Sequence, residues 1–267
     1  MKKVRVAICM PWYKGPDENT VMSILVLQHY LGRLQERSTW INSAQGTPLG
    51  WEPYLNKLPL LTDNPDSELS MLPEPVELEF FLSVASNISL PGMAREAVTN
   101  QAIDMGADVL FSYDYDMLVS PNVFMRLLAD VLAPEPDVPV VAALAFTGRL
   151  PMAPVIYSSK TAPDGRPHFA PVFDYKRDTL QKVDGFGTGV FMARAEVFKK
   201  IPQPWFNLAG GMGEDLFFTG VRCLEFGIPV YVDTRAKVSH KPTVPAMWHN
   251  EESYDVQRAK EDSNVQA

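Results

Sequence analysis

The sequence predicts an α/β fold, in which a mostly parallel sheet is flanked by helices and a smaller mixed sheet lies toward the C-terminus. Short apolar segments, typical of buried strands, alternate with segments of helical periodicity. Of the 267 residues, 46% are hydrophobic and 21% charged, as in ordinary globular proteins. The longest apolar run, Val138–Phe146, has nine residues and contains Pro139, so we expect no stable insertion into a membrane.

The first half of the chain contains strand-then-helix units. Each predicted strand is a compact apolar run, and each helix has apolar residues at intervals of three and four positions. Connections of this kind favour parallel strands with helical crossovers. The predicted strands are Val4–Met10, Glu77–Ala85, Asp108–Tyr113 and Val138–Phe146, and the helices are Thr20–Leu34, Met93–Met105 and one that begins after Ser120.

The second half is more mixed. A Pro163-Asp164-Gly165 turn between two short apolar segments predicts a hairpin. The other predicted elements are strand Gly189–Ala193, helix Ala195–Ile201, helix Glu214–Phe226, and strands Ile228–Asp233 and Ala236–His240.

Two segments depart from this pattern. Residues 38–75 are rich in proline and lack periodicity, which predicts a long surface insertion on the acceptor side of any active site. Residues 251–267 are polar and predict a loose tail or a marginal helix.

The charge balance and the cysteines limit the function classes. A formal net charge of −8 argues against a broad nucleic-acid-binding face, although a local basic groove needs only a few cations. Cys9 and Cys223 lie in apolar segments without metal-ligand spacing, so we interpret them as buried free thiols of a cytoplasmic protein.

The Asp114-Tyr115-Asp116 segment directly follows a predicted buried strand. In open parallel sheets, ligands bind beyond the carboxyl ends of the strands, and carboxylates two positions apart on an extended chain point to the same side. Such a pair can hold a divalent cation or a ribose hydroxyl. Alternatively, the two acids only cap the helix that follows.

Two further polar groups complete the pattern. Glu214 and Asp215 open a predicted helix, where acids stabilise the helix dipole or, functionally, supply a general base. His240 ends the last predicted strand, either as an ordinary surface residue or as a neutral ligand for Mn²⁺ or Mg²⁺.

In this order, these segments resemble those of GT-A-fold glycosyltransferases, similar to the family-2-like enzymes, including small ones of phages and bacteria. The resemblance covers residues 4–242 except the insertion. It is carried by Ala7–Tyr13, Ala94-Arg95, Asp114–Asp116, Val183–Met192, Gly213–Asp215 and Asp233–His240.

The resemblance implies one catalytic domain over residues 1–250, with a nucleotide-binding half at about 1–118 and an acceptor half at about 119–250. It implies that Asp215 is the catalytic base, and we expect Glu214 to bond acceptor hydroxyls or backbone groups. We also expect Trp205 to stack on an acceptor or, alternatively, to lie at the edge of the core. The other implied roles are base stacking by Pro11, Trp12 and Tyr13, donor binding by Arg95 and Asp114, a pocket lining of Gly187, Thr188 and Gly189, and a Mn²⁺ or Mg²⁺ site of Asp114, Asp116 and His240.

The implied reaction is metal-dependent, inverting transfer from a nucleotide-diphospho-sugar, with a UDP-sugar favoured. The acceptor stays open between a glycan, a small molecule, a protein and a hydroxymethylated base of phage DNA, of which net charge disfavours DNA. Two alternatives remain: nucleotidyl transfer to a sugar phosphate, for which the usual glycine-rich basic loop is missing at residues 11–15, and a non-catalytic nucleotide-sugar-binding module.

Overall fold

A computed structural model describes seven parts of the chain, and the statements below concern these parts. They are residues 2–12, 25–32, 71–86, 88–161, 167–208, 212–241 and 249–265. The predicted insertion at 38–75 lies outside them except for its last five positions.

The described residues form twelve strands and six helices. The strands are β1 (Lys2–Trp12), β2 (Val76–Ser86), β3 (Val109–Tyr113), β4 (Met117–Leu118), β5 (Val140–Leu144), β6 (Ile156–Thr161), β7 (Pro167–Pro171), β8 (Leu180–Val183), β9 (Gly185–Phe186), β10 (Val190–Arg194), β11 (Val230–Lys237) and β12 (Ser239–His240). The helices are α1 (25–32), α2 (Pro91–Asp104), α3 (Pro121–Leu132), α4 (Ala195–Lys200), α5 (214–225, with a π-helical turn at Phe217–Arg222) and α6 (Glu251–Val265).

Seven strands make the central sheet, in the order β2-β1-β3-β10-β5-β11-β8. Five of them run in one direction, and β10 and β8 run in the other. A second sheet of three strands has the order β7-β6-β9 and contains the predicted hairpin. The predicted α/β fold with a mostly parallel sheet and a smaller mixed portion is therefore confirmed.

The two faces of the sheet are covered by different helices, as the alternation of side chains along β1 requires. Val4, Val6 and Ile8 belong to a core that includes residues of α1 and α3. Ala7 and Cys9 belong to a second core, built with α2, α4 and α5. No helix in the described parts of the chain is long and apolar enough to cross a membrane.

The direction of β10 determines what lies at the carboxyl edge of the sheet. Val190, the first residue of β10, pairs with Tyr113, the last residue of β3. The loop before β10 therefore lies beside the segment that follows β3. The sequence did not indicate this, because an inserted antiparallel strand has the same apolar pattern as its parallel neighbours.

The polar C-terminal segment forms α6, and its first half is anchored to the rest of the molecule. Glu251 accepts a hydrogen bond from the Tyr175 hydroxyl at 3.0 Å and pairs with Lys237 Nζ at 2.7 Å. The ring of Tyr254 stacks on Phe146 at a centroid distance of 4.8 Å. Of the two predicted alternatives, a loose tail or a marginal helix, the structure has the helix, because a few specific contacts compensate for the polar composition.

A buried acid pair makes the stability of the fold depend on pH. Asp233 is fully buried and pairs with Arg235, whose Nη2 also lies 3.3 Å from Asp130 Oδ1. Burial, and next the nearby Asp233 charge, raise the pKa of Asp130 from 3.8 to about 7. Between these values the folded protein keeps a proton that the unfolded chain has lost, so its stability falls as the pH rises.

We therefore expect Asp130→Asn to leave stability nearly unchanged at pH 4 but to increase it at pH 8, because the wild type must then ionise this carboxyl beside Asp233. Urea unfolding at the two pH values measures the effect. Asp137→Asn, which removes an acid from the exposed surface, serves as the control. Equal pH slopes for Asp130→Asn and wild type would contradict the expectation.

Candidate active site

A buried ion pair joins α2 to the end of β3. The Nη1 and Nη2 atoms of Arg95 donate hydrogen bonds to the two carboxylate oxygens of Asp114, at 2.7 and 2.8 Å. Only 4% of Arg95 and 8% of Asp114 is exposed. Burial raises the pKa of Asp114, and the charge and hydrogen bonds of Arg95 oppose that rise.

Arg95 also contacts two other elements of the site. Its Nη1 donates to the carbonyl of Thr188 at 3.4 Å, and its Nε lies 3.7 Å from Glu214 Oε1 at the start of α5. The packing is close, since a Cβ on Gly92 of α2 would lie 3.3 Å from Glu214 Cβ. One cation thus links the end of β3, the loop before β10 and the start of α5.

Removal of this cation provides a test of the buried pair. Arg95→Met leaves a buried carboxylate without its partner, so we expect it to reduce the free energy of unfolding by about 3–5 kcal/mol. Replacing Asp114 by leucine in the same chain should recover most of the loss. If Arg95→Met alone were as stable to urea as the wild type, the buried ion pair would be refuted.

Asp116 and His240 form a second polar group at the same edge. His240 Nε2 lies 3.4 Å from Asp116 Oδ2, and His240 Nδ1 lies 2.8 Å from the carbonyl oxygen of Phe146. A carbonyl only accepts, so Nδ1 carries a proton. When the ring is neutral, Nε2 therefore has the lone pair that a cation could bind, and when the ring is protonated, Nε2 donates a hydrogen bond to Asp116. Burial lowers the pKa of His240, but Asp116 and the Phe146 carbonyl together outweigh this effect and raise it.

The backbone holds these two side chains together. β4 and β12 pair with His240 opposite Met117, and the N–H of Lys241 donates to the carbonyl of Asp116 at 2.9 Å. Gly148 lies against the ring, since a Cβ there would be 3.2 Å from Nε2. Asp116 and His240 are 124 positions apart in sequence, and this small ladder brings them into contact.

Asp116 and His240 fit part of the coordination sphere of Mn²⁺ or Mg²⁺. They offer one carboxylate and one oriented imidazole nitrogen, a mixed donor set that suits Mn²⁺. Asp114, the third predicted ligand, has both oxygens bonded to Arg95. No group of three His, Cys, Asp or Glu side chains that could hold a metal occurs in the described residues. A ligand role for Asp114 stays a prediction.

Asp215 lies in the first turn of α5 with its carboxylate against the loop before β10. Its Oδ1 accepts a hydrogen bond from the N–H of Leu216 at 2.7 Å. Its Oδ2 would lie 3.5 Å from a Cβ on Gly187. Burial raises the pKa of Asp215, the charge of Glu214 adds to the rise, and the Leu216 N–H and Arg95 oppose it.

The Gly187-Thr188-Gly189 loop lies between these groups. Gly189 accepts a hydrogen bond from the N–H of Asp114 at 2.8 Å, next to the contact of Arg95 with Thr188. A Cβ on Gly187 would approach Val155 Cβ to 3.0 Å, so a glycine fits this position best. The loop therefore connects the side of Asp114 to the side of Asp215.

Of the two positions predicted for Trp205, the structure favours the one in the core over the one that stacks on an acceptor. Its side chain is in the core, with 4% of the residue exposed, and its ring packs edge-on against Phe198 at 5.3 Å. Its indole N–H donates to the carbonyl of Ile201 at 2.7 Å, so no ring face is available for a sugar. Of the predicted base-stacking residues, Pro11 is buried in β1, Trp12 ends β1, and Tyr13 lies outside the described residues.

Sequence reasoning missed two groups that orient the site. One is the carbonyl of Phe146, which holds the His240 ring and gives no sequence signal because every residue has a carbonyl. The other is Thr219, four positions after Asp215, which bonds the backbone of Asp215. Its position one helical turn after the predicted base was a usable signal.

No protein-family model and no curated protein sequence matches this chain. Solved structures with some similarity include A197 from STIV, with 16% identity over 89% of this chain and 85% of that one, at a TM-score of 0.45. GalNAc-T7 with UDP, GalNAc and Mn²⁺ has 11% identity over 91% of this chain but only 45% of its own length, at a TM-score of 0.48. A mutant Drosophila β1,4-galactosyltransferase 7 with manganese, UDP-Gal and xylobiose has 15% identity over 96% of this chain and 79% of its own length, at a TM-score of 0.40. Similarity this distant assigns no substrate, metal or mechanism to this chain.

Proposed function

We propose that this protein is a metal-dependent glycosyltransferase of the GT-A type, which transfers a sugar from a nucleotide-diphospho-sugar to an acceptor hydroxyl. One observation carries the proposal. At one edge of the sheet, an oriented imidazole facing a carboxylate lies in the same site as a half-buried carboxylic acid whose pKa is raised. The first pair suits a cation that holds a diphosphate, and the acid suits a general base.

The donor side of the site consists of Asp116 and His240. When bound there, Mn²⁺ or Mg²⁺ would supply positive charge to the departing diphosphate. Arg95 does not take this role, because its guanidinium is buried against Asp114. Instead, Arg95 holds Asp114 in place, and Asp114 orients the donor ribose.

The acceptor side is centred on Asp215. Since the Leu216 N–H occupies Oδ1, Oδ2 accepts the proton of the acceptor hydroxyl. The acceptor oxygen then bonds to the anomeric carbon as the bond to the diphosphate breaks, and that electron pair leaves with the diphosphate. Attack opposite the leaving group inverts the anomeric configuration.

Residues 1–118 contribute most of the donor side, and residues 119–250 contribute most of the acceptor side. We favour a UDP-sugar as donor and leave the acceptor open among glycans, small molecules, proteins and modified DNA bases. Cys9 and Cys223 are both free and buried, as expected of a cytoplasmic enzyme.

A donor screen tests the proposed function. UDP-, GDP-, CDP- and TDP-sugars are incubated with the protein and Mn²⁺, and release of nucleoside diphosphate is measured for the wild type and Asp215→Asn. We expect release from one nucleotide class and a strong reduction in the variant. Release of pyrophosphate from a nucleoside triphosphate with a sugar phosphate would instead indicate nucleotidyl transfer. Tight donor binding without turnover would indicate a binding module.

A further inference from the structure

The hydroxyl of Thr219 is buried between the helix that carries Asp215 and a strand of the second sheet. Its Oγ1 lies 2.9 Å from the carbonyl oxygen of Asp215 and 3.0 Å from that of Phe186. It also accepts a hydrogen bond from the N–H of Phe186 at 3.2 Å. Only 1% of Thr219 is exposed.

These bonds satisfy backbone groups that have no access to water. Phe186 is fully buried, so its N–H needs an acceptor within the protein, and Thr219 provides one. The one hydroxyl proton then goes to the carbonyl of Asp215 or of Phe186. One side chain therefore ties the first turn of α5 to β9, the strand that leads into Gly187.

Close packing around the hydroxyl keeps α5 near β9. A Cβ on Gly185 would lie 2.9 Å from Leu216 Cδ2 and 3.5 Å from Thr219 Oγ1. A Cβ on Gly220 would lie 2.4 Å from the ring of Phe169 on β7, so the β6–β7 hairpin rests on the same turn. That turn is π-helical, a form that occurs mostly as single turns within α-helices and frequently at functional sites.

We propose that Thr219 is a positioning residue for Asp215, and this inference rests on the proposed function. The hydroxyl fixes the backbone of Asp215 relative to β9, and thereby fixes the carboxylate relative to the Gly187 loop and the donor. Without the hydroxyl, the packing remains but the hydrogen bonds between the turn and β9 are lost, and catalysis is sensitive to displacements of about 1 Å.

A double-mutant cycle separates this role from a merely structural one. Thr219→Val keeps the shape of the side chain and removes the hydroxyl, while Thr219→Ser keeps the hydroxyl. We expect Thr219→Val to lower kcat about 10-fold or more without changing donor Kd. Thr219→Ser should retain the kcat of the wild type. In an Asp215→Asn background, Val should lower the remaining single-turnover rate no further, because residues that act as a unit are not additive.

Thr234→Val is the matched control. Thr234 is also fully buried, and its hydroxyl also joins backbone groups, accepting from Thr179 N at 3.0 Å and lying 2.9 Å from the Lys176 carbonyl. It should lower the unfolding midpoint as much as Thr219→Val does, yet leave kcat unchanged.

The outcomes distinguish the two proposals. A wild-type protein that transfers no sugar from any donor overturns the proposed function and, with it, the role of Thr219. If the wild type transfers sugar, either of two results overturns the role of Thr219 alone. One is that Thr219→Val lowers the rate by the same factor in both backgrounds, and the other is that Thr219→Ser does not retain the kcat of the wild type.

Discussion

We expect Asp215→Asn to lower kcat by about 100-fold or more, the range typical when a general base is lost, and to leave donor affinity unchanged. The asparagine amide retains the size of the carboxylate but accepts no proton from the acceptor. Steady-state kinetics with the identified donor and acceptor measure kcat, and calorimetry measures donor affinity. Since burial and Glu214 raise the pKa of Asp215, the acid limb of wild-type kcat should lie above the ordinary value of 3.8.

Glu214→Gln is the matched control, because Glu214 lies beside Asp215 but faces Arg95. We expect it mainly to raise the acceptor KM. Near-normal kcat in Asp215→Asn together with an inactive Glu214→Gln would reverse the two roles. A product with the anomeric configuration of the donor would exclude the inverting mechanism.

We expect Asp116→Asn to abolish turnover and to weaken Mn²⁺ binding by at least the ~10–100-fold that loss of an outer-shell partner costs a metal site. The amide supplies a neutral oxygen where the cation requires a negative one. Titration of the protein with Mn²⁺ followed by electron paramagnetic resonance gives the Kd independently of any activity. Binding of the nucleoside diphosphate in the presence of Mn²⁺ should weaken as well.

Two controls accompany this experiment. Asp137→Asn removes a charge from an exposed pair with Arg194 and should bind Mn²⁺ like the wild type. EDTA should stop turnover by the wild type. If Asp116→Asn binds Mn²⁺ and turns over normally, and EDTA has no effect, the cation site is not formed by Asp116.

The sequence was sufficient to predict the elements with strong periodicity and the place of Asp114 and Asp116. Both follow a strand that begins with three apolar residues and is buried throughout, and the carboxyl end of such a strand is a recognisable location. Pairing between strands was harder to predict. The contact of Asp116 with His240 depends on two two-residue strands, which are too short for any pattern to appear.

Composition also did not determine burial. For Trp205 the sequence left both an acceptor contact and a position at the edge of the core open, and an indole with a backbone partner for its N–H packs well in a core. The bonds of Thr219 to Phe186 span 33 positions, and no local signal in the sequence predicts such a contact.

Because α6 packs against Phe146, the orientation of His240 depends on a helix at the surface of the molecule. Phe146 presents its ring to Tyr254 of α6 and its carbonyl to the Nδ1 proton of His240. A substitution at Tyr254 that displaces Phe146 would therefore reorient the imidazole on which a cation would depend, although Tyr254 is not one of the residues proposed to bind metal or substrate. An engineer who wishes to tune metal affinity without altering a proposed ligand can begin at this position.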